Sequence, residues 1–314
     1  MKKLLPTALL ALAAAGLPGC SPDDAPPRAA PAAQPQAKAP VASKDPYAPL
    51  MQAVFGDDYL PAKGYAIEGG AAADVSPAQD GDMPLVLTAT TSAALPSGDT
   101  ALVVEGSFRR PTGEEMLGEV EGSPVHLFLL RQRDGVWHVV RRHENIAEKS
   151  RNGTDIRWVT LGPGKPGLAI ENHWLGQGYT ATWLSLYDPA GERMANLLGD
   201  SLMTRSDNEG ACEDECWSGE AKWRLEAGSG RARNAPYDDL VLEITGEETL
   251  QPGDGAQADT DEAPPPAPET GKSPQPAGDG ATVAAKRSLA GTARYAYRDG
   301  KYQLVEGTNT LPTF

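Results

Sequence analysis

This chain reads as a mainly β protein: an irregular antiparallel sandwich or propeller-like stack of sheets, with one short N-terminal helix. Three observations point that way. Its apolar runs are short and β-rich, as in "MPLVLTAT" (83–90) and "TALVVEGSF" (100–108). Pairs of such runs flank Asp134-Gly135 and Asp299-Gly300, the kind of dipeptide that best suits a tight hairpin turn. Few stretches repeat their apolar residues at the spacing of a long helix.

The elements follow in chain order. "DPYAPLMQAVFG" (45–56) suits a short helix, with Asp45 as N-cap, Pro46 at the first helical position and Gly56 ending it. The two β-rich runs quoted above come next. "VHLFLLRQRDGVWHVVRR" (125–142) is a hairpin about Asp134-Gly135, and "ATWLSLYDPAGERMANLL" (181–198) repeats the idea about Asp188-Pro189-Ala190-Gly191. "AKWRLEAG" (221–228) and "DDLVLEITG" (238–246) add two strands. "ARYAYRDGKYQLVEG" (293–307) closes the series as a hairpin whose Tyr295, Tyr297, Tyr302 and Leu304 give it one apolar face. A lone hairpin is marginal in water, so this one is expected to dock on the preceding sheet. Asp134 and Asp188 lie 54 residues apart, near a propeller-blade length, and "YDDLVLEITG" resembles strand segments of integrin-type propeller repeats. No strict motif recurs, which favours an irregular sandwich or blade-like stack.

The N-terminus carries the clearest functional signal. Lys2 and Lys3 precede an apolar run from Leu4 to Leu17, too short to span a bilayer, which needs roughly 20 residues. That is the order of a secretory signal peptide, here residues 1–19. The run ends in Leu17-Pro18-Gly19-Cys20, which resembles the lipobox of bacterial lipoproteins. The resemblance implies cleavage before Cys20 and acylation of that cysteine with chains such as palmitate. Several chains on one residue hold a protein firmly to a membrane. By the same resemblance, Ser21 favours the outer membrane, facing the periplasm, if the cell is Gram-negative.

Residues 21–44 hold six prolines and eight alanines and no aromatic side chain, the composition of a disordered tether. Stretched as polyproline helix, at roughly 3.1 Å per residue, it reaches about 75 Å. Residues 251–280 carry six carboxylates against one lysine and read as a disordered acidic, Pro-rich insertion. Residues 45–250 and 281–314 then make a single β-rich domain, interrupted by that insertion. The whole chain has a net charge of −15, and removing Lys2 and Lys3 leaves 43 acidic against 26 basic residues, or −17. Such acidity argues against nucleic acid as a partner.

Enzyme motifs are sparse. Gly199-Asp200-Ser201-Leu202 resembles the signature of GDSL esterases, whose serine is the nucleophile. In that family the serine follows an early parallel strand and the catalytic histidine comes late. Here His126, His138, His143 and His173 all precede Ser201, so the tetrapeptide is read as chance and no catalytic residue is assigned. His126 and His138, alternating within strands, read as structural. No phosphate loop, HExxH or G-x-S-x-G is present, and no cofactor is implied.

"SDNEGACEDECWSG" (206–219) holds Cys212 and Cys216, the pair left once Cys20 is acylated, and an exported pair is read as a disulfide. Metal binding is the lesser alternative: no histidine is near, and Asp207, Glu209, Glu213, Asp214 and Glu215 lack EF-hand spacing. "ENHWLGQGYTATW" (171–183) offers Asn172, His173, Trp174, Gln177 and Tyr179, chemistry suited to a sugar or peptide. A long β-turn whose tryptophan caps the core is the favoured reading of the stretch. Two functions stay open: a non-catalytic envelope lipoprotein that binds a protein or glycan, and a lipid-anchored envelope hydrolase acting on glycan, peptide or ester.

Overall fold

A computed structural model describes residues 45–68, 85–109, 115–116, 123–191, 193–213, 215–227, 236–250 and 285–313. The signal peptide, Cys20, the tether to residue 44 and the acidic stretch 251–280 lie outside the described residues. Among those described, no helix is long and apolar enough to cross a membrane.

The chain opens with α1 (Ala48–Phe55), shifted from the expected start. Tyr47 is the N-cap, and Asp45 acts one step earlier, its Oδ1 accepting the Tyr47 N–H at 2.8 Å. Pro49, not Pro46, sits in the first turn, where its missing N–H costs nothing. Gly56 ends the helix at φ 56°, as expected.

The first sheet contains β1 (Tyr59–Leu60), β2 (Tyr65–Ile67), β3 (Leu85–Ala94), β4 (Thr100–Arg109), β5 (Glu115–Met116), β6 (Ser123–Arg133) and β7 (Val136–Lys149). Its order is β1-β2-β3-β4-β6-β7, all antiparallel, with β5 on β4. Strand alternation gives it two apolar faces. Leu102, Val104, Phe128 and Leu130 meet Leu50, Met51 and Val54 of α1. On the reverse, Ala101, Val103, Val125, Leu127 and Leu129 meet Leu168, Ile170 and Tyr187 of the second sheet. A sheet buried on both sides explains the nearly unbroken apolar run of β6.

The second sheet contains β8 (Thr154–Gly162), β9 (Lys165–Gly176), β10 (Tyr179–Tyr187), β11 (Leu202–Asp207), β12 (Trp217–Glu226), β13 (Asp239–Leu250), β14 (Ala285–Ser288), β15 (Gly291–Arg298) and β16 (Lys301–Gly307). Its order is β16-β15-β13-β12-β11-β10-β9-β8, again antiparallel, with β14 also on β13. The register shifts at Thr182/Trp183 against β11, and the sheet folds back on itself. Leu161, Leu184 and Leu186 thereby pack with Trp223, Leu240 and Tyr302. The Asp238 N–H reaches the Leu161 carbonyl at 2.6 Å across the fold. The final hairpin lies along β13, with Leu240 opposite Tyr295 and Ile244 opposite Gly291.

Asp134-Gly135 and Asp299-Gly300 form the expected tight turns, with φ of 52° and 80°, and 51° and 89°. The Asp188–Gly191 turn also forms, its Gly191 N–H reaching the Asp188 carbonyl at 3.1 Å, but no strand returns from it. Asn196 explains this. Its Oδ1 accepts the N–H groups of Leu186 and Leu198, so "MANLL" crosses the end of β10 while Leu197 sinks into the core. The strand paired with β10 on that side is β11.

Candidate functional site

The five residues expected to form a recognition loop lie on and around the β9–β10 hairpin. Gln177 and Gly178 are its two turn residues, at φ 52° and 83°, so the stretch is a tight hairpin and not a long loop. Alternation then divides the set. Asn172 and Trp174 point to one side of β9 and His173 to the other. The amide of Asn172 is occupied: Oδ1 accepts from Thr154 Oγ1 at 2.6 Å, and Nδ2 donates to the Glu148 carbonyl at 3.0 Å. It stitches the crossing from the first sheet to the second. Trp174 folds over Gly176, where an added Cβ would lie 2.7 Å from the indole. Tyr179 packs against Trp217, ring centroids 6.2 Å apart.

On the opposite side, His173 stands between Thr182 Oγ1, 3.0 Å from Nδ1, and Asp155 Oδ2, 3.1 Å from Nε2. Acid, imidazole and hydroxyl in series are the parts of a nucleophile relay. Thr182, however, is only 7% exposed, leaving its hydroxyl little room to meet a substrate. Beside it Glu171 accepts from Arg157 at 2.6 Å and from the Trp223 indole at 2.7 Å, while the Arg157 guanidinium lies 4.6 Å from that ring. This closed cluster bridges the two halves of the folded sheet.

Ser201 contacts Ser185 Oγ at 2.8 Å, and Ser185 also receives the Asn196 amide at 3.3 Å. The hydroxyl of Ser201 is thus paired with another hydroxyl and not with a histidine.

Cys212 and Cys216 are bonded, with Cα atoms 5.2 Å apart. Asn208, 3% exposed, organises the same loop: it accepts the Trp217 N–H at 2.7 Å and donates to the Glu215 carbonyl at 2.8 Å. Asp207 is occupied by the Glu209 N–H and the Ser218 hydroxyl. Among the described residues no group of three or more His, Cys, Asp or Glu is placed to hold a metal.

A different place gathers the features of a binding site. Phe55 of α1, Ile67 of β2, Leu85 and Leu87 of β3 and Phe128 of β6 wall a cavity of ≈ 290 Å³. Its polar contributors are Asp58, Glu68, His126, Glu144 and Asn145. A bulge borders the cavity. Val125 pairs with Ala147 and Leu127 with His143, so β7 spends two more residues than β6 across His126. Asn145 turns there at φ 55°, and its N–H donates to His126 Nδ1 at 3.2 Å. The bond assigns the imidazole proton to Nε2.

His126 is 8% exposed, and its buried Nε2 has no partner among the described residues. Burial lowers its pKa from the ordinary value, against the opposing pull of Glu144 and Glu68, so the ring stays neutral. Such an orphan donor costs about 1–3 kcal/mol. Phe128 stacks on the imidazole at 6.1 Å and meets Phe55 edge-on at 5.6 Å, which holds the wall. The sequence did contain one cue to this site. In "VHLFLL", His126 shares the inward face of Phe128 and Leu130, a polar group at a core position.

The chain matches no known family model, no curated protein and no solved structure.

Proposed function

We propose that this chain is a lipid-anchored cell-envelope protein that binds a small molecule in the cavity beside His126, without catalysing its conversion. The observation that carries the binding reading is that cavity: apolar walls joined to the neutral imidazole of His126, whose N–H has no partner among the described residues. Ligand sites join apolar lining to a few convergent polar groups in just this way. Perturbed titration in a cleft is a further mark of function. The anchoring half rests on the signal peptide and the Leu17-Pro18-Gly19-Cys20 lipobox, with Ser21 favouring an outer-membrane address. The test is a thermal-shift and titration screen of small amphiphiles on the detergent-solubilised protein. Hits should be lost in Leu87→Trp, which fills the cavity; hits that persist there would remove the reading.

One observation supports the second reading, an envelope hydrolase: the Asp155–His173–Thr182 series. It requires a nucleophilic Thr182. Covalent capture of Thr182 by a fluorophosphonate probe, abolished in His173→Ala, is the result that would promote this reading over binding.

A further inference from the structure

We infer that the His126 cavity selects a small organic cation, its apolar body against the Phe55 and Phe128 wall and its ammonium group at the carboxylate rim. The inference rests on the binding reading above and adds the chemical class. Size comes first. At ≈ 290 Å³ the cavity is about twice the ~150 Å³ that admits benzene and sits at the lower edge of ligand pockets. One ring with a short polar arm, roughly ten heavy atoms, suits it.

Charge sets the class. Asp58, Glu68 and Glu144 are exposed carboxylates along the cavity and come from three separate stretches of the chain. The cation beside them is Arg142, whose Nη2 donates to the Val54 carbonyl at 2.6 Å and whose Nη1 lies 3.8 Å from Glu144. Among the described residues Asp58 and Glu68 form no ion pair and Glu144 meets one guanidinium, so the described rim is net acidic. An anion entering there meets like charge near low-dielectric walls, where screening is weak. A bare metal ion is a poor fit, because these carboxylates do not converge with a third ligand. An ammonium on an apolar body needs no such convergence.

His126 is one of the cavity's lining residues, so its ring resonances report occupancy.

Isothermal titration of the detergent-solubilised full-length protein at low salt and pH 7.5 tests this with three probes of nearly equal size. They are 2-amino-1-phenylethanol, 2-phenylethanol and mandelate. The amine is expected to bind with Kd on the order of 1 mM or tighter. Mandelate should bind at least ~10-fold more weakly, with the neutral alcohol between them. Asp58→Asn with Glu68→Gln, both surface changes, should erase the amine's advantage over the alcohol and leave the alcohol unchanged. The His126 ring resonances, assigned by their loss in His126→Gln, should move with added amine. If the alcohol or mandelate binds as well as the amine, the cation assignment falls and the cavity reading stands. If the amine binds without moving His126, the assignment falls as well. Should none of the three bind at 10 mM, a ceiling about tenfold above the expected Kd, the cavity reading itself fails.

Discussion

Removing residues 285–314 takes away β14, β15, β16 and the C-terminal segment together. Leu289, Tyr302 and Leu311 are 2%, 4% and 6% exposed, so the tail's own large side chains lie in the core. Each such burial contributes ~1.5–3 kcal/mol, giving roughly 5–9 kcal/mol for the three. A compact unfolded state lowers this by 10–40%, to about 3–8 kcal/mol. Deletion also uncovers Leu240, Leu242 and Ile244 on β13, now 0–2% exposed. A whole domain is stable by only about 5–15 kcal/mol. The truncated chain should therefore unfold, or melt at least ~6–12 °C lower at 2–4 °C per kcal/mol. Cleavage at an engineered protease site between residues 251 and 284 should behave differently. The tail keeps its pairing along β13 and should co-elute with the body on gel filtration. A tail that separates without denaturant, beside a truncated body melting within 2 °C of the intact protein, refutes the reasoning.

Other perturbations are as specific. Cys20→Ala should abolish acylation and move the protein from the detergent phase to the aqueous phase or stall the precursor; an intact mass showing Cys20 unmodified in the wild type contradicts the anchor. Ser201→Ala removes one hydroxyl contact to Ser185 and should cost about 1 kcal/mol or less, with no change in ligand binding; fluorophosphonate labelling at Ser201 is the contrary result. Cys212→Ser with Cys216→Ser opens a small loop and should cost about 2 kcal/mol. Asn208→Ala, which strands the Trp217 N–H and the Glu215 carbonyl, should cost more, about 2–4 kcal/mol; equal urea midpoints for the two variants would show that the disulfide dominates. Burial lowers the His126 pKa below its ordinary 6.5, so the unfolded chain binds the proton first. The stability this gives is fully present above about pH 6.5 and declines as pH falls through that value toward the folded pKa. Urea midpoints at pH 7.5 and 5.5 should therefore differ more in the wild type than in His126→Gln; identical differences exclude the imidazole as the cause.

The parts of the fold legible in the sequence are those whose signal is local. Asp134-Gly135 and Asp299-Gly300 need positive φ at both turn residues, and that requirement is written in the residues themselves. Strands β8 and β9 were less legible. Gly162, Pro163, Gly164 and Pro166 break up their text, although Pro166 sits where the hairpin begins and is tolerated opposite Thr160. The failed return strand after Asp188 turned on one side chain, Asn196, whose amide competes for the backbone donors a ladder would use. The cavity was the least legible feature. Asp58, Glu68, Leu85, His126 and Glu144 come from separate stretches of the chain, and no local pattern announces the bulge in β7 that lies across from His126. The recognition-loop expectation grouped Asn172, His173 and Trp174 by proximity in sequence, while a strand sends neighbours to opposite sides.

The division of strands between the two sheets bears on how the chain acquires its structure. Every pairing in the first sheet is made within residues 59–149 and every pairing in the second within 154–307. Most strands pair with a near neighbour in sequence, so most of the loops closed within each sheet are short. As the chain emerges from its N-terminus, the first sheet and α1 can condense while β8 onward is still absent. That intermediate has Val103, Val125 and Leu127 facing water, because their cover, Leu168 and Ile170, comes later. The period between completion of β7 and arrival of β9 is therefore when the nascent protein is most prone to aggregate. A chaperone that shields this face would act there.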